Sequence, residues 1–221
     1  MSFRIEVEVQ GNLFKAAVRG RLPVGGGQRG RVKEFSPASR KRLIDKVMRL
    51  ETDKKLLFAT FTYEDPVPGP SEVKRHLDLL EKRLVRRFLQ VAGVWRFGIE
   101  SSGQRDYHPH LHIVLFNLRW LPVEWLEQVW KEVTGGRGGF VWVELVGWRR
   151  VLGYLSRYMA RVEQGSSLDY MAYLTGEEWP GRWWGLFNRS CLPWGDLVRL
   201  SFAPGPWFWR LKRCGRHVWG G

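Results

Sequence analysis

Cysteine, asparagine and long apolar runs are all scarce in this chain of 221 residues. The only two cysteines, Cys191 and Cys214, show no CxxC spacing, which excludes a disulfide framework or a cysteine-based zinc site. No apolar run approaches the roughly 20 residues of a membrane span, and the opening MSFRIEVEVQ lacks the basic-then-apolar order of a signal peptide. No membrane partner and a cytoplasmic location are therefore expected. No GxxxxGK[ST] phosphate loop is present either. The asparagines are Asn12, Asn117 and Asn188 alone, a scarcity that a thermophilic source and GC-rich coding would both produce.

What the chain has in excess is positive charge. Its 36 Lys and Arg outnumber 22 Asp and Glu, giving a formal charge of +14. With 44% hydrophobic and 14% aromatic residues, the composition is that of a folded, strongly basic protein. Such an excess favours a polyanionic partner, because neutralised phosphates release counterions. Nucleic acid fits better than a membrane surface, and an ordinary solvated surface is the bland alternative.

Apolar periodicity outlines the elements. Phe3, Ile5, Val7 and Val9 alternate as in a strand, with Leu13 to Val18 as its partner. Ser36 and Pro37 start a basic helix carrying Leu43, Val47 and Leu50. A buried strand covers 56–63, and Ser71 is the expected cap of a helix with Leu77, Leu80, Leu84 and Phe88 on one side. Strands at 94–100 and 110–118, joined by a loop from Ser101 to Pro109, predict a hairpin. A helix over 122–133, a strand over 140–146 and a helix over 149–163 follow. This order predicts an α+β fold: a ferredoxin-like (RRM-like) central antiparallel β-sheet with flanking helices on one face. A single domain is expected over 1–221, with an N-terminal basic segment to about residue 55 and a Trp-rich extension from about residue 165 packed on it.

Three of the five histidines fall in Tyr107-His108-Pro109-His110-Leu111-His112. On a strand His110 and His112 share a face while Leu111 and Ile113 turn to the core. A symmetric hairpin loop would put Glu100 across from His110, with β-carbons about 5 Å apart. Two imidazoles and a carboxylate would suit Mn²⁺ or Mg²⁺ in a phosphoryl-transfer site. His108, next to Pro109, is a candidate supporting or substrate-contacting group. The alternative is a polar face of an edge strand.

A second cluster is Gly153-Tyr154-Leu155-Ser156-Arg157-Tyr158-Met159-Ala160-Arg161. At about 100° per residue, Tyr158 lies roughly 40° from Tyr154, with Arg150, Arg157 and Arg161 beside them. Positive charge favours the phenolate and can neutralise the phosphorane of a phosphodiester attack. A plain packing pair on a basic helix is the other reading.

Together, His110-Leu111-His112, Tyr154 to Arg161 and Phe58-Ala59-Thr60-Phe61-Thr62-Tyr63 resemble the motifs of HUH endonucleases, the rolling-circle replication initiators and related transposases of plasmids and phages. The stretches 31–36, 39–43 and 181–185 are similar to segments of bacterial and phage initiators, so the resemblance spans about 29–190. Glu100 falls where many members place a third metal ligand, and the tandem tyrosines resemble the two-tyrosine phage type. Arg157 stands where the family usually has Lys, and a guanidinium can neither give nor take a proton.

The resemblance implies metal-dependent nicking and rejoining of single-stranded DNA at an origin or hairpin by isoenergetic transesterification, with no nucleotide cofactor, in agreement with the absence of a phosphate loop. One tyrosine, with Tyr154 as first nucleophile and Tyr158 as second, would become linked to the 5′ phosphate and release a 3′-OH primer. The partners implied are a host helicase and DNA polymerase, and a monomer is expected. Arg150, Arg161, Arg40, Lys41 and Arg42 are the candidate DNA contacts. Three alternatives stand beside this: a transposase with the same chemistry, a histidine-triad nucleotide hydrolase in which His110 attacks, and a non-catalytic single-stranded nucleic-acid binder using aromatics such as Trp207, Phe208 and Trp209.

Overall fold

The computed structural model describes residues 4–19, 35–64, 68–102, 105–157, 176 and 181–203. They form two antiparallel sheets and four helices. The order is β1 (Arg4–Gln10), β2 (Leu13–Arg19), α1 (Pro37–Met48), β3 (Leu56–Tyr63), α2 (Pro70–Arg87), β4 (Ala92–Ser102), β5 (Arg105–Phe116), α3 (Val123–Val133), β6 (Gly138–Val146), α4 (Trp148–Arg157), β7 (Trp184–Phe187) and β8 (Leu197–Phe202).

The larger sheet runs β6-β3-β5-β4-β7. Its first four strands and the crossover helices α2 and α3 have the connectivity expected of a ferredoxin-like βαββαβ unit. β3 is central because LLFATFTY is apolar at nearly every position, and Leu56 to Ala59, Phe61 and Tyr63 are buried. On one face Phe61 and Tyr63 pack against Trp130 of α3, each with ring centroids 5.0 Å apart. A bulge between Phe61 and Tyr63 interrupts the β3·β6 ladder, and the Trp130 indole N–H donates to the Thr62 carbonyl at 2.7 Å.

Helices cover both faces rather than one. Phe58 turns away from Phe61 and meets Tyr154 of α4 at 4.7 Å, and Phe116 meets Trp148 at 5.9 Å. α1 is tied to the same side, where the Trp184 indole donates to Ser39 Oγ at 3.1 Å. The crossover helices are thus confined to one face as expected, and the additional helices α1 and α4 partly close the other.

Several boundaries differ from expectation. α2 begins at Pro70, with Gly69 at the cap position and no side-chain capping bond, so Ser71 lies inside the helix. Proline at the first helical position supplies the start that Ser71 was expected to give. Ser36 does cap α1, accepting from the Ser39 amide at 3.3 Å. The hairpin strands run to Ser102 and from Arg105, so residues 105–109 are strand and not loop. Pro109 is tolerated because β3 pairs with β5 only as far as His110, leaving no ladder bond on that side for it to break.

The Trp-rich region contributes two strands. β7 extends the sheet along β4, with Phe187 over Gly93 and Trp95 over Gly185, where added β-carbons would come within 2.2 and 2.6 Å of the rings. β8 pairs with β1 to make the smaller sheet, β2-β1-β8. Arg49 joins α1 to that sheet through Glu8 at 2.5 Å and Gln10 at 2.7 Å. Among the described residues, no helix is long and apolar enough to cross a membrane.

Candidate active site

Three strands place one polar row on the α4 side of the sheet. Register pairs Arg96 with His112, and His112 with Thr60; the next row pairs Gly98 with His110, and His110 with Thr62. The histidine rings are 4.6 Å apart, centroid to centroid. His110 is buried, and its Nε2 would lie 2.2 Å from a β-carbon built on Gly98. The ring therefore occupies the space that glycine leaves open, the usual meaning of glycine inside a strand approached closely by another group.

His112 is fixed on three sides. Its Nδ1 lies 2.9 Å from Thr60 Oγ1, Phe58 stacks on it at 5.4 Å, and Tyr154 approaches at 5.8 Å edge-on. Burial pushes its pKa down to about 3, with the His110 ring and the Arg96 guanidinium acting in the same direction. The imidazole is thus neutral at physiological pH. When Nδ1–H donates to Thr60, Nε2 presents its lone pair, which is the ligand form of histidine. Arg96 itself is buried, with its guanidinium 5.2 Å from the Phe35 ring.

The expected residues are brought together in part. His110 and His112 lie side by side, and the Tyr154 ring meets that of His112. Glu100 stands opposite His108, not His110. The hairpin closes at Ser102 and Arg105, with a register shift between Glu100 and Ser102, so the long symmetric loop that would pair Glu100 with His110 is absent. The pairing keeps Glu100 on the histidine face, since it is two residues from Gly98. It likewise keeps position 108 in phase with 110 and 112 through Pro109. The side chains of Glu100 and His108 lie outside the described residues, as does that of Arg157; Tyr158 and Arg161 lie outside entirely. Among the described residues no three His, Cys, Asp or Glu side chains form a metal cluster.

Arg150 is exposed and pairs with Glu144 at 3.3 Å. Lys41 and Arg42 are exposed on α1, Lys41 lying 3.4 Å from Asp45, while Arg40 is half-buried. Sequence reasoning passed over Arg96 and Gly98. Both were visible as exceptions within the apolar run Val94 to Ile99, on alternate positions that share one face.

A separate cleft of about 360 Å³ lies on the opposite face of the sheet, lined by Lys74, Glu81, Trp95 and Arg182 among others. Burial there pushes Lys74 down to about 7 and Glu81 up to about 7, while the Lys74 ammonium sits over Trp95 at 4.7 Å.

Residues 56–163 match the family model described as Replication-associated protein, of the ORF2 type. The match begins with β3 and includes both histidines and Tyr154, and it supports a replication-associated role. No curated protein and no solved structure matches the chain.

Proposed function

We propose that this protein is a rolling-circle replication initiator that nicks and rejoins single-stranded DNA through Tyr154. The observation that carries the proposal is the approach of the Tyr154 ring, on α4, to within 5.8 Å of a histidine that is itself 4.6 Å from a second histidine on the same strand. A packing pair alone would not require Tyr154 to face the row of the sheet that carries both histidines.

His110 and His112, with Glu100 as a carboxylate from the adjacent strand, would hold a divalent ion, and imidazole donors favour Mn²⁺ over Mg²⁺. When bound, such an ion supplies Lewis-acid stabilisation of the scissile phosphate. The chain's own residues do the rest. Thr60 fixes the His112 ring, and Gly98 makes room for that of His110. The Tyr154 Oη–P bond forms as the P–O3′ bond breaks, the phenol gives up its proton, and the departing 3′ oxygen takes one up. Arg96 places a buried cation beside this row, where negative charge develops. Arg157 follows Tyr154 by three positions on the same helix and is the candidate second cation. The bond energy is retained in the phosphotyrosine, so rejoining needs no nucleotide; helicase and polymerase would come from the host.

The test is a covalent-adduct assay with single-stranded DNA and Mn²⁺. Tyr154→Phe is expected to abolish the first adduct, and His110→Ala or His112→Ala to reduce cleavage by at least about 100-fold while most DNA binding survives. Full adduct formation by Tyr154→Phe would remove the assignment. The unbroken register through Pro109 also keeps His108, His110 and His112 in phase, as a histidine-triad hydrolase would require. A phosphoramidate on His110, in place of DNA on tyrosine, would establish that reading instead.

A further inference from the structure

Phe140 and Trp142 stand out among the large apolar side chains that the fold leaves in water. They are 61% and 54% exposed, on the edge strand β6, with ring centroids 6.1 Å apart and planes inclined by only 29°. Their sequence neighbour Val141 points the other way and is buried, so the two rings are a deliberate pair on one face. Gly139 helps set that face: a β-carbon there would lie 2.9 Å from Thr62 Oγ1 and 3.1 Å from the Tyr63 carbonyl carbon. Aromatic side chains of this size normally go to the core, where their area is worth most. Two of them stacked in solvent call for a partner.

The face they occupy is the histidine face. Trp142 pairs with Thr60, and Thr60 pairs with His112, so Arg96, His112, Thr60 and Trp142 form one row across four strands. His112 and Trp142 are separated by two strand spacings, about 10 Å. We propose that Phe140 and Trp142 are a stacking platform for the unpaired bases flanking the phosphate held at His110 and His112. The proposal rests on the reading of that pair as a single-stranded DNA site and adds the surface that receives the substrate's bases.

The chemistry of the surroundings favours nucleic acid over a second protein surface. The chain carries +14 charges, and the carboxylate closest along the same strand face, Glu144, is neutralised by exposed Arg150. Every base offers a π-face, so stacking holds a strand without choosing its sequence. The sheet surface thereby separates two tasks: the histidine row acts on the backbone, and the β6 edge holds the bases.

The test is fluorescence anisotropy with a randomised library of short single-stranded oligonucleotides, in the absence of divalent ions so that cleavage does not contribute. Trp142→Ala and Phe140→Ala should each weaken binding about 5- to 150-fold, and Trp142→Phe should restore most of the loss. Replacing bases with abasic sites should abolish the difference between native and variant proteins. Both side chains are exposed, so thermal melting should be unchanged. Native affinity in both alanine variants would overturn the proposal. So would a change in self-association at unaltered DNA affinity, which would make the pair a protein contact. Aromatic-dependent binding by a native protein that forms no tyrosine adduct would leave the platform standing and remove the nicking reading. Normal adducts with unaltered affinity in both variants would do the reverse. If the native protein binds no member of the library, both readings fall.

Discussion

The least conspicuous residue of the site makes the sharpest demand on it. Gly98 contributes no side chain, yet a methyl group there would lie 2.2 Å from His110 Nε2. Gly98→Ala must therefore turn the His110 ring away or push β4 from β5. Overpacking of this kind costs about 1–3 kcal/mol, and the displaced group is a proposed ligand. The variant is expected to fold, with a lowered urea midpoint, but to lose Mn²⁺ affinity and at least about tenfold in adduct formation. Unreduced nicking by a folded Gly98→Ala protein would show that the His110 position seen here is not the working one. Thr60 and Arg96 act on His112 in a comparable way, one by orienting the ring and the other by opposing its protonation. The chemistry proposed for this face would therefore depend on residues with no catalytic signature of their own.

At the level of elements, β3 is tied to α2 and α3 through a cluster that includes a buried imidazole. His76 of α2 packs against Tyr63 and Trp130, and its Nδ1 lies 3.3 Å from the Tyr63 hydroxyl. Burial lowers its pKa to about 4; Arg75 and Arg137 push the same way, and Glu72 opposes them. The unfolded chain, with a His pKa near 6.5, binds this proton more readily than the folded one. Stability is therefore lost as pH falls from about 6.5 to about 4, by on the order of 2 kcal/mol from this group. Glu72, held below its usual range by Arg137, adds a loss at still lower pH. His112 contributes with the same sign as His76, so the readout is a difference: His76→Leu should flatten part of the pH dependence of the urea midpoint between 6.5 and 4. Parallel curves for native and variant would mean that His76 is protonated inside the fold. These elements were legible in the sequence because period and burial agree: β3 is apolar except at Thr60 and Thr62, and α2 and α3 carry clear stripes. The His110/His112 pair was legible for the same reason, since Leu111 and Ile113 between and beside them demand the opposite face. Glu100 was misplaced because register depends on where a hairpin turns, and residues 105–109 look like loop until they pair. β7 and β8 were missed because their place as strands is decided by pairing partners distant in sequence, Gly93 and Trp95 for β7 and Ile5 and Val7 for β8.

Across the whole molecule, that long-range dependence separates the stretch that matches a replication family from the stretch that can fold. The match ends at residue 163, but the sheet does not. Trp183, Phe187 and Leu192 all belong to the main core, and Phe187 fills the space over Gly93 in β4. Asn188 donates to the carbonyls of Leu89 and Val91, and Asn117 donates to that of Cys191, binding the segment to the open end of the hairpin, where β4 begins and β5 finishes. Each buried apolar side chain of this size is worth about 1.5–3 kcal/mol, so removing three costs an amount comparable to the roughly 5–15 kcal/mol by which a domain is typically stable. Losing β7 would also uncover the β4 edge that carries Arg96 and Gly98, and exposed edges invite association. A chain ended after Gly181 is accordingly expected to lose cooperative urea unfolding and near-UV dichroism and to aggregate, even though every proposed catalytic residue is retained. Ending it after Ala203, which keeps both β7 and β8, is expected to preserve the cooperative transition. If the shorter chain unfolds cooperatively at the native midpoint, β7 is an accessory to a sheet that stands without it, and the histidine row owes nothing to the Trp-rich region.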